Sequence, residues 1–182
     1  MTSTFEVENE SILIERALLG EEESYQKILN LYKARVFSFV YRLLKHFDDA
    51  EEITFETFIN CFKSLNKYDR SKKFSTWLFT IAHNLAVDHL RKQKVSYEYI
   101  DESRNYEQLQ ADIVKQYEKK QKVQKIELAL AAMPPLDSEL IILFHKEEMS
   151  YQEISEIVRL PVTTIKVRLH RARKKLKEMV KS

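Results

Sequence analysis

The sequence predicts an all-α protein of two small helical domains joined by a linker, the second of which contains a helix-turn-helix. Three observations lead there. One glycine and three prolines occur in 182 residues, too few for the glycine-dependent turns that close β-hairpins. Apolar residues recur every three or four positions through most of the chain, the period of one helix face. Residues 95 to 123 are polar and poor in apolar side chains, and they separate an apolar segment at 5 to 94 from another at 124 to 180.

Composition narrows the class further. Apolar residues at 44% and charged residues at 32% are ordinary for a folded soluble chain. No apolar run reaches the ~18 residues of a membrane helix, and the N-terminus is acidic rather than basic then apolar, which argues against a signal peptide. A cytoplasmic protein with no membrane insertion is expected. The lone Cys61 has no partner for an internal disulfide and reads as a small core residue. Net charge is only +2, yet residues 1 to 60 carry twelve acids against six bases, whereas residues 159 to 182 carry nine Lys or Arg against the single Glu178. The C-terminal end therefore suits a polyanion, because neutralised phosphates release counterions.

Taken in order, Ser11 to Leu19 is a short amphipathic pattern that ends at Gly20, a natural C-cap. Ser24 to Leu44 carries Tyr25, Ile28, Leu29, Tyr32, Val36, Phe39, Val40 and Leu43 at helical spacing, one long helix or two abutting ones. Asp48 is the candidate cap of the next helix, Asp49 to Leu65. Its acids Asp49, Glu51 and Glu52 favour a helix N-terminus, and Ile53, Phe58, Cys61, Phe62 and Leu65 form its buried stripe. Glu51, Glu52, Phe55, Glu56 and Ile59 are left outward, a mixture of carboxylate and apolar side chains that suits a protein partner.

Tyr68 to Ser75 is a polar basic loop, and Ser75 is the candidate cap of the helix running to Lys94. Trp77, Leu78, Ile81, Leu85 and Leu90 form its expected core face, with Asn84, Asp88 and Arg91 on another. Phe74 and Trp77 could stack on unpaired bases, but at helical spacing the core claims them. Ile126, Leu128, Leu130 and Met133 restore an apolar face that stops at Pro134 and Pro135. Leu136 to His145 follows, capped by Asp137 or Ser138, with Leu140, Ile141, Leu143 and Phe144 inward.

The last segment is the most informative. Ser150 and Glu153 are spaced as a capping box, Tyr151, Ile154, Ile157 and Val158 share one face, and Pro161 interrupts the ladder. Thr163 or Thr164 can cap the second helix, on which Ile165, Leu169, Ala172 and Leu176 turn inward. Lys166, Val167, His170, Arg171 and Lys174 turn outward. Cations on the outer face of the second helix of a helix-turn-helix have the geometry that enters a major groove.

These strings, in this order, resemble the extracytoplasmic-function (ECF) group of bacterial RNA polymerase sigma factors. DAEEITFETF is similar to that family's clamp-binding helix, FSTWLFTIAHNLAVDHLRK to its promoter-melting and minus-ten-reading helix, and MPPLDSELIILFHKEEMSYQEISEIVRLPVTTIKVRLHRARKKL to its minus-thirty-five domain. The resemblance implies that residues 5 to 94 bind core polymerase and open the minus-ten element, and that 124 to 180 read the minus-thirty-five element. It implies that Asp49, Glu51, Glu52, Phe55 and Phe58 meet the polymerase clamp helices. Ser71, Lys72, Lys73, Asn84 and Arg91 would hold the melted minus-ten strand, with Asn84 and the loop capturing a flipped base. Lys166, Val167, His170, Arg171 and Lys174 would face the minus-thirty-five duplex, where Arg171 suits the two acceptors of guanine and Lys166 and Lys174 suit phosphates. An anti-sigma partner is also implied.

The chain departs from the family pattern at four positions. Phe55 stands where glutamine is usual, Arg159 and Thr163 where glycine is common, and Val167 where serine is common. A left-handed Arg159 would cost ~1 kcal/mol.

The alternative is a stand-alone dimeric helix-turn-helix regulator, which needs a dimer seam that no heptad supplies. An enzyme is disfavoured. Asp88 with His89, and His145 with Glu147 and Glu148, are the nearest approach to a metal set, but neighbours on a helix diverge and no Glu-x-x-His pair accompanies them. No catalytic residue, metal or cofactor is expected.

Overall fold

The computed structural model describes residues 4–97 and 119–181. Among the described residues there are eight α-helices and no strand. The helices are α1 (Thr4–Leu18), α2 (Glu22–Leu44), α3 (Phe47–Lys63), α4 (Phe74–Tyr97), α5 (Lys119–Ala131), α6 (Pro135–His145), α7 (Tyr151–Val158) and α8 (Val162–Lys181), with a short 3-10 turn at Leu65–Lys67. The chain forms two compact units, Met1–Ala86 and Val87–Ser182, and the division falls within α4. Of the sequence-predicted linker, 95 to 97 continue α4 and 119 to 123 open α5; the remainder lies outside the described residues.

The first unit is punctuated by left-handed residues. Gly20, at φ 85°, lets its own N–H reach Ala17 O at 2.9 Å and that of Glu21 reach Arg16 O at 3.1 Å, which satisfies the carbonyls left over where α1 ends. Lys45, at φ 55°, ends the single long α2 in the same way, its N–H donating to Tyr41 O. The cap of α3 is His46 rather than Asp48. His46 is extended and its Nδ1 accepts from Asp49 N, so Asp48 falls inside the first turn, where its charge still suits the helix dipole.

Ile28, Val36, Phe39 and Val40 of α2 meet Ala50, Ile53, Phe58 and Cys61 of α3 in the core. The Phe39 ring stands edge-on to Phe79 at 5.1 Å, and Tyr32 stands edge-on to Phe74 at 5.6 Å. The buried line of α4 is Phe74, Leu78, Ala82 and Ala86, with Phe79 beside it. This corrects the predicted face, of which only Leu78 is fully inside; Trp77, Ile81, Leu85 and Leu90 are half-buried flanks. Small Ala82 and Ala86 fill positions four residues apart on the inner face, while the larger side chains cover its edges. Helix α4 begins at Phe74, so Ser75 lies within its first turn and is not its cap.

In the second unit α6 opens on Pro135, whose missing N–H costs nothing at the first helical position. Pro134 is the cap, and its carbonyl accepts from Asp137 N and Ser138 N at 3.0 and 3.1 Å. Asp137 and Ser138 therefore lie in the first turn and are not caps. The capping box of α7 forms as its spacing predicts, with Ser150 Oγ accepting from Glu153 N at 3.2 Å and Glu153 Oε2 accepting from Ser150 N at 2.7 Å.

Between α7 and α8, Arg159 is left-handed at φ 54° and ψ 39°, and Ser155 Oγ donates to Leu160 O at 2.6 Å. Helix α8 starts at Val162, with Ile165 N donating to Pro161 O, so Thr163 and Thr164 are exposed first-turn residues rather than caps. Leu140, Leu143, Ile154, Ile157, Ile165 and Leu169 form the core. Phe144 and Leu176 are half-buried, and Leu128 faces outward.

Candidate functional site

Three surfaces hold the candidate residues. On α3, Glu51, Glu52 and Glu56 are exposed around Phe55, which is 63% exposed, and Ile59. The inner side of this helix needs nothing from outside, because Thr54 and Thr57 donate their hydroxyls to Ala50 O and Ile53 O. Asp49 is half-buried and engaged, its Oδ1 3.3 Å from His46 Nδ1, which ties it to the cap of its own helix. Phe58 is only 4% exposed. It belongs to the core, one turn from the outward stripe, so of the five implied clamp residues Glu51, Glu52 and Phe55 are exposed, Asp49 is half-buried and Phe58 is buried, while Glu56 and Ile59 share the exposed face.

The second surface is the loop before α4. Ser71, Lys72 and Lys73 are exposed on a built turn: Asp69 Oδ1 accepts from Ser71 N at 2.9 Å, and this backbone bond holds the Asp69 carboxyl below its ordinary range. Tyr68 Oη donates to Lys72 O, and its ring lies 5.4 Å from Phe74 and 5.3 Å from Trp77. Arg70 Nη1 reaches Glu15 Oε1 of α1 at 3.2 Å. The aromatic side chains thus anchor the loop, and its cations remain on the outside. Asn84 is half-buried on α4, and Arg91, two turns on, is exposed with Asp88 Oδ1 at 3.3 Å, a pair too solvated to hold it firmly.

The third surface is α8. Lys166, Val167, His170, Arg171 and Lys174 are all exposed. Val167 and Arg171 line an open groove of about 600 Å³ together with Thr163, Thr164, Arg168 and Asp137 of α6. Within it Arg168 Nε and Nη2 both donate to Asp137 Oδ1, at 3.2 and 3.1 Å. These four extra residues escaped the sequence reading, which took Asp137 and the threonines as caps. The usable signal was spacing, since Thr164, Arg168 and Arg171 recur at four and three residues on one face.

Another cation of α8 is turned elsewhere. Arg173 lies over the Phe144 ring at 4.5 Å and donates through Nε to His145 Nε2 at 2.9 Å. Burial first, and the Arg173 charge second, lower the His145 pKa below its ordinary value. Among the described residues no group of three or more His, Cys, Asp or Glu could hold a metal ion. No helix among them is long and apolar enough to cross a membrane.

Comparison with known proteins gives two family matches, to Sigma-70 region 2 over residues 28–95 and to Sigma-70 region 4 over residues 123–176. The chain is 32% identical over 178 residues to the ECF RNA polymerase sigma factor SigW of Bacillus subtilis, covering 92% of this chain and 95% of that one. It is 27% identical over 155 residues to the ECF RNA polymerase sigma factor SigM of the same organism, covering 84% of this chain and 93% of that one.

Two solved structures share the fold. The sigma factor RpoE of Bartonella quintana, in complex with the anti-sigma factor NepR, matches with a TM-score of 0.68 and 24% identity, over 87% of this chain and 98% of that one. CnrH, in complex with the cytosolic domain of CnrY, matches with a TM-score of 0.65 and 20% identity, over 95% of this chain and 97% of that one.

Proposed function

The chain belongs to the extracytoplasmic-function (ECF) group of RNA polymerase sigma factors, and from that premise we propose how its three surfaces divide the work. It binds core RNA polymerase and directs promoter-specific initiation, opening the minus-ten element and reading the minus-thirty-five element.

The observation that carries the DNA-reading assignment is the outer face of α8. There Lys166, Val167, His170, Arg171 and Lys174 are all solvent-facing, on the second helix of a helix-turn-helix whose Ile165, Leu169 and Ala172 are buried in the core. Arg171 reads a base edge, Lys166 and Lys174 hold phosphates, and Val167 offers methyl contact. The α3 surface, with exposed Phe55 and Ile59 among carboxylates, meets the clamp helices of core polymerase. Ser71, Lys72 and Lys73 hold the melted minus-ten strand, with Asn84 and Arg91 on the helix that follows. We assign polymerase binding and melting to residues 5 to 94 and upstream reading to 124 to 180.

The chain contributes no catalytic group; nucleotide chemistry belongs to the polymerase. It acts in the cytoplasm, and an anti-sigma protein, as NepR is in the complex with RpoE, is its proposed negative regulator.

Run-off transcription with purified bacterial core polymerase and a library of upstream DNA fragments tests the reading. Defined starts that require the protein are expected, and Arg171→Ala should relax preference at one upstream base while leaving polymerase binding intact. Failure to bind core, with unaided DNA binding as a dimer, would replace this reading with a stand-alone regulator.

A further inference from the structure

Two guanidinium groups, those of Arg168 and Arg171, line the same groove on the α8 surface. Either fork matches guanine in a major groove, and either would bind any phosphate within reach. Left loose, the two would compete for the same base edges and add sequence-independent affinity. The structure treats them differently. Arg171 is exposed, whereas Arg168 turns two donors, Nε and Nη2, onto the single oxygen Oδ1 of Asp137. Asp137 is well placed to hold on: its side chain is 21% exposed against 41% for Arg168, so the ion pair is screened less than one standing in open solvent.

The acid is as informative as the base. A bare carboxylate in a groove facing DNA would repel phosphates, and a bare guanidinium would attract them regardless of sequence. Joined, they present neither charge strongly. We propose that Asp137 is a specificity-determining positioning residue: its carboxylate holds the Arg168 guanidinium against α6, so that of the two guanidinium groups in this groove only that of Arg171 reads a base edge. The inference rests on the assignment of α8 to upstream DNA and adds a residue of α6 to the reading machinery.

The test uses the full chain bound to core polymerase and two labelled duplexes, the upstream element selected by run-off transcription and a scrambled version of it. Binding is titrated with salt, at a temperature that holds the closed complex. Asp137→Asn frees Arg168, and the slope of log affinity against log salt should steepen by about 0.9, the value of one added phosphate contact. Scrambled duplex should gain about threefold between 200 and 50 mM salt beyond the wild-type gain, and discrimination between the two duplexes should fall accordingly.

In an Arg168→Ala background the same Asp137→Asn change removes only a bare carboxylate and should steepen the slope by less than it does with Arg168 present. An unchanged slope for Asp137→Asn would overturn the proposal, as would an equal shift in both backgrounds, which is what loss of a distant negative charge produces. Asp137→Ser replaces Asn if the latter does not fold, with the same expected outcomes. Wild-type complexes that fail to prefer the selected element would instead remove the assignment of α8 on which the inference stands.

Discussion

Replacing Arg159 by glycine should stabilise the second unit. Arg159 holds φ 54° and ψ 39° between α7 and α8, where an L-residue's Cβ crowds its own carbonyl at a cost of about 1–2 kcal/mol. Glycine removes that cost but returns part of it, because its unfolded chain is freer. The net gain is about 0.5–1 kcal/mol, and little packing is lost because Arg159 is exposed. For a unit of this size that corresponds to a rise of about 2–8 °C in melting midpoint. Circular dichroism melts of the full chain measure it, with Arg159→Ala as the control that removes the side chain and retains the strain. Equal midpoints for the glycine and alanine variants would refute the reasoning, since the turn would then store no strain that glycine relieves.

The contrast between Phe55 and Phe58 gives a second prediction. Phe55→Ala should weaken core polymerase binding in a pull-down while changing stability by under about 0.5 kcal/mol, whereas Phe58→Ala should cost about 3–5 kcal/mol in denaturant unfolding. His145 makes stability depend on pH. Its folded pKa lies below the unfolded value, so the unfolded chain takes up the proton first, and stability present above about pH 6.5 is lost as pH falls towards the folded pKa. His145→Gln should flatten that limb of the stability profile. Cys61 is buried, and burial pushes its thiol up to about 12, so thiol-specific reagents at pH 8 should leave the native chain unmodified and react only on unfolding.

Fold class was legible because its evidence is periodic. A missing glycine supply and a 3.6-residue repeat survive errors of one or two residues, and the Ser150–Glu153 capping box was readable from spacing alone. Helix starts were less so. Asp48, Asp137 and Thr163 are the residue types that cap best, yet His46, Pro134 and Pro161 hold the cap positions, because the preceding chain fixes where helical dihedrals begin and polar residues are also at home in a first turn.

The buried face of α4 was misread for a different reason. Large side chains attract attention, but Ala82 and Ala86 define the inner line, and only the neighbouring helices decide which of two adjacent faces turns inward. Phe58 is a different case: spacing put it in the buried stripe and Phe55 outward, as the structure has them, and only the family resemblance set the two together at the clamp. On α8 the exposed face was visible as a cationic stripe. Asp137 was not, because its partner Arg168 lies 31 residues away and pairing at that distance exists only after folding.

The ring cluster at the base of the loop has an optical consequence. Trp77 is the single tryptophan of the chain, and its indole sits 5.3 Å from Tyr68 on the segment assigned to the opened strand. Indole emission is sensitive to its immediate surroundings, and tyrosine passes excitation to tryptophan efficiently at such a separation. On that assignment the protein carries its own fluorophore beside the strand it would hold, and stopped-flow emission would time opening with no dye attached to protein or DNA.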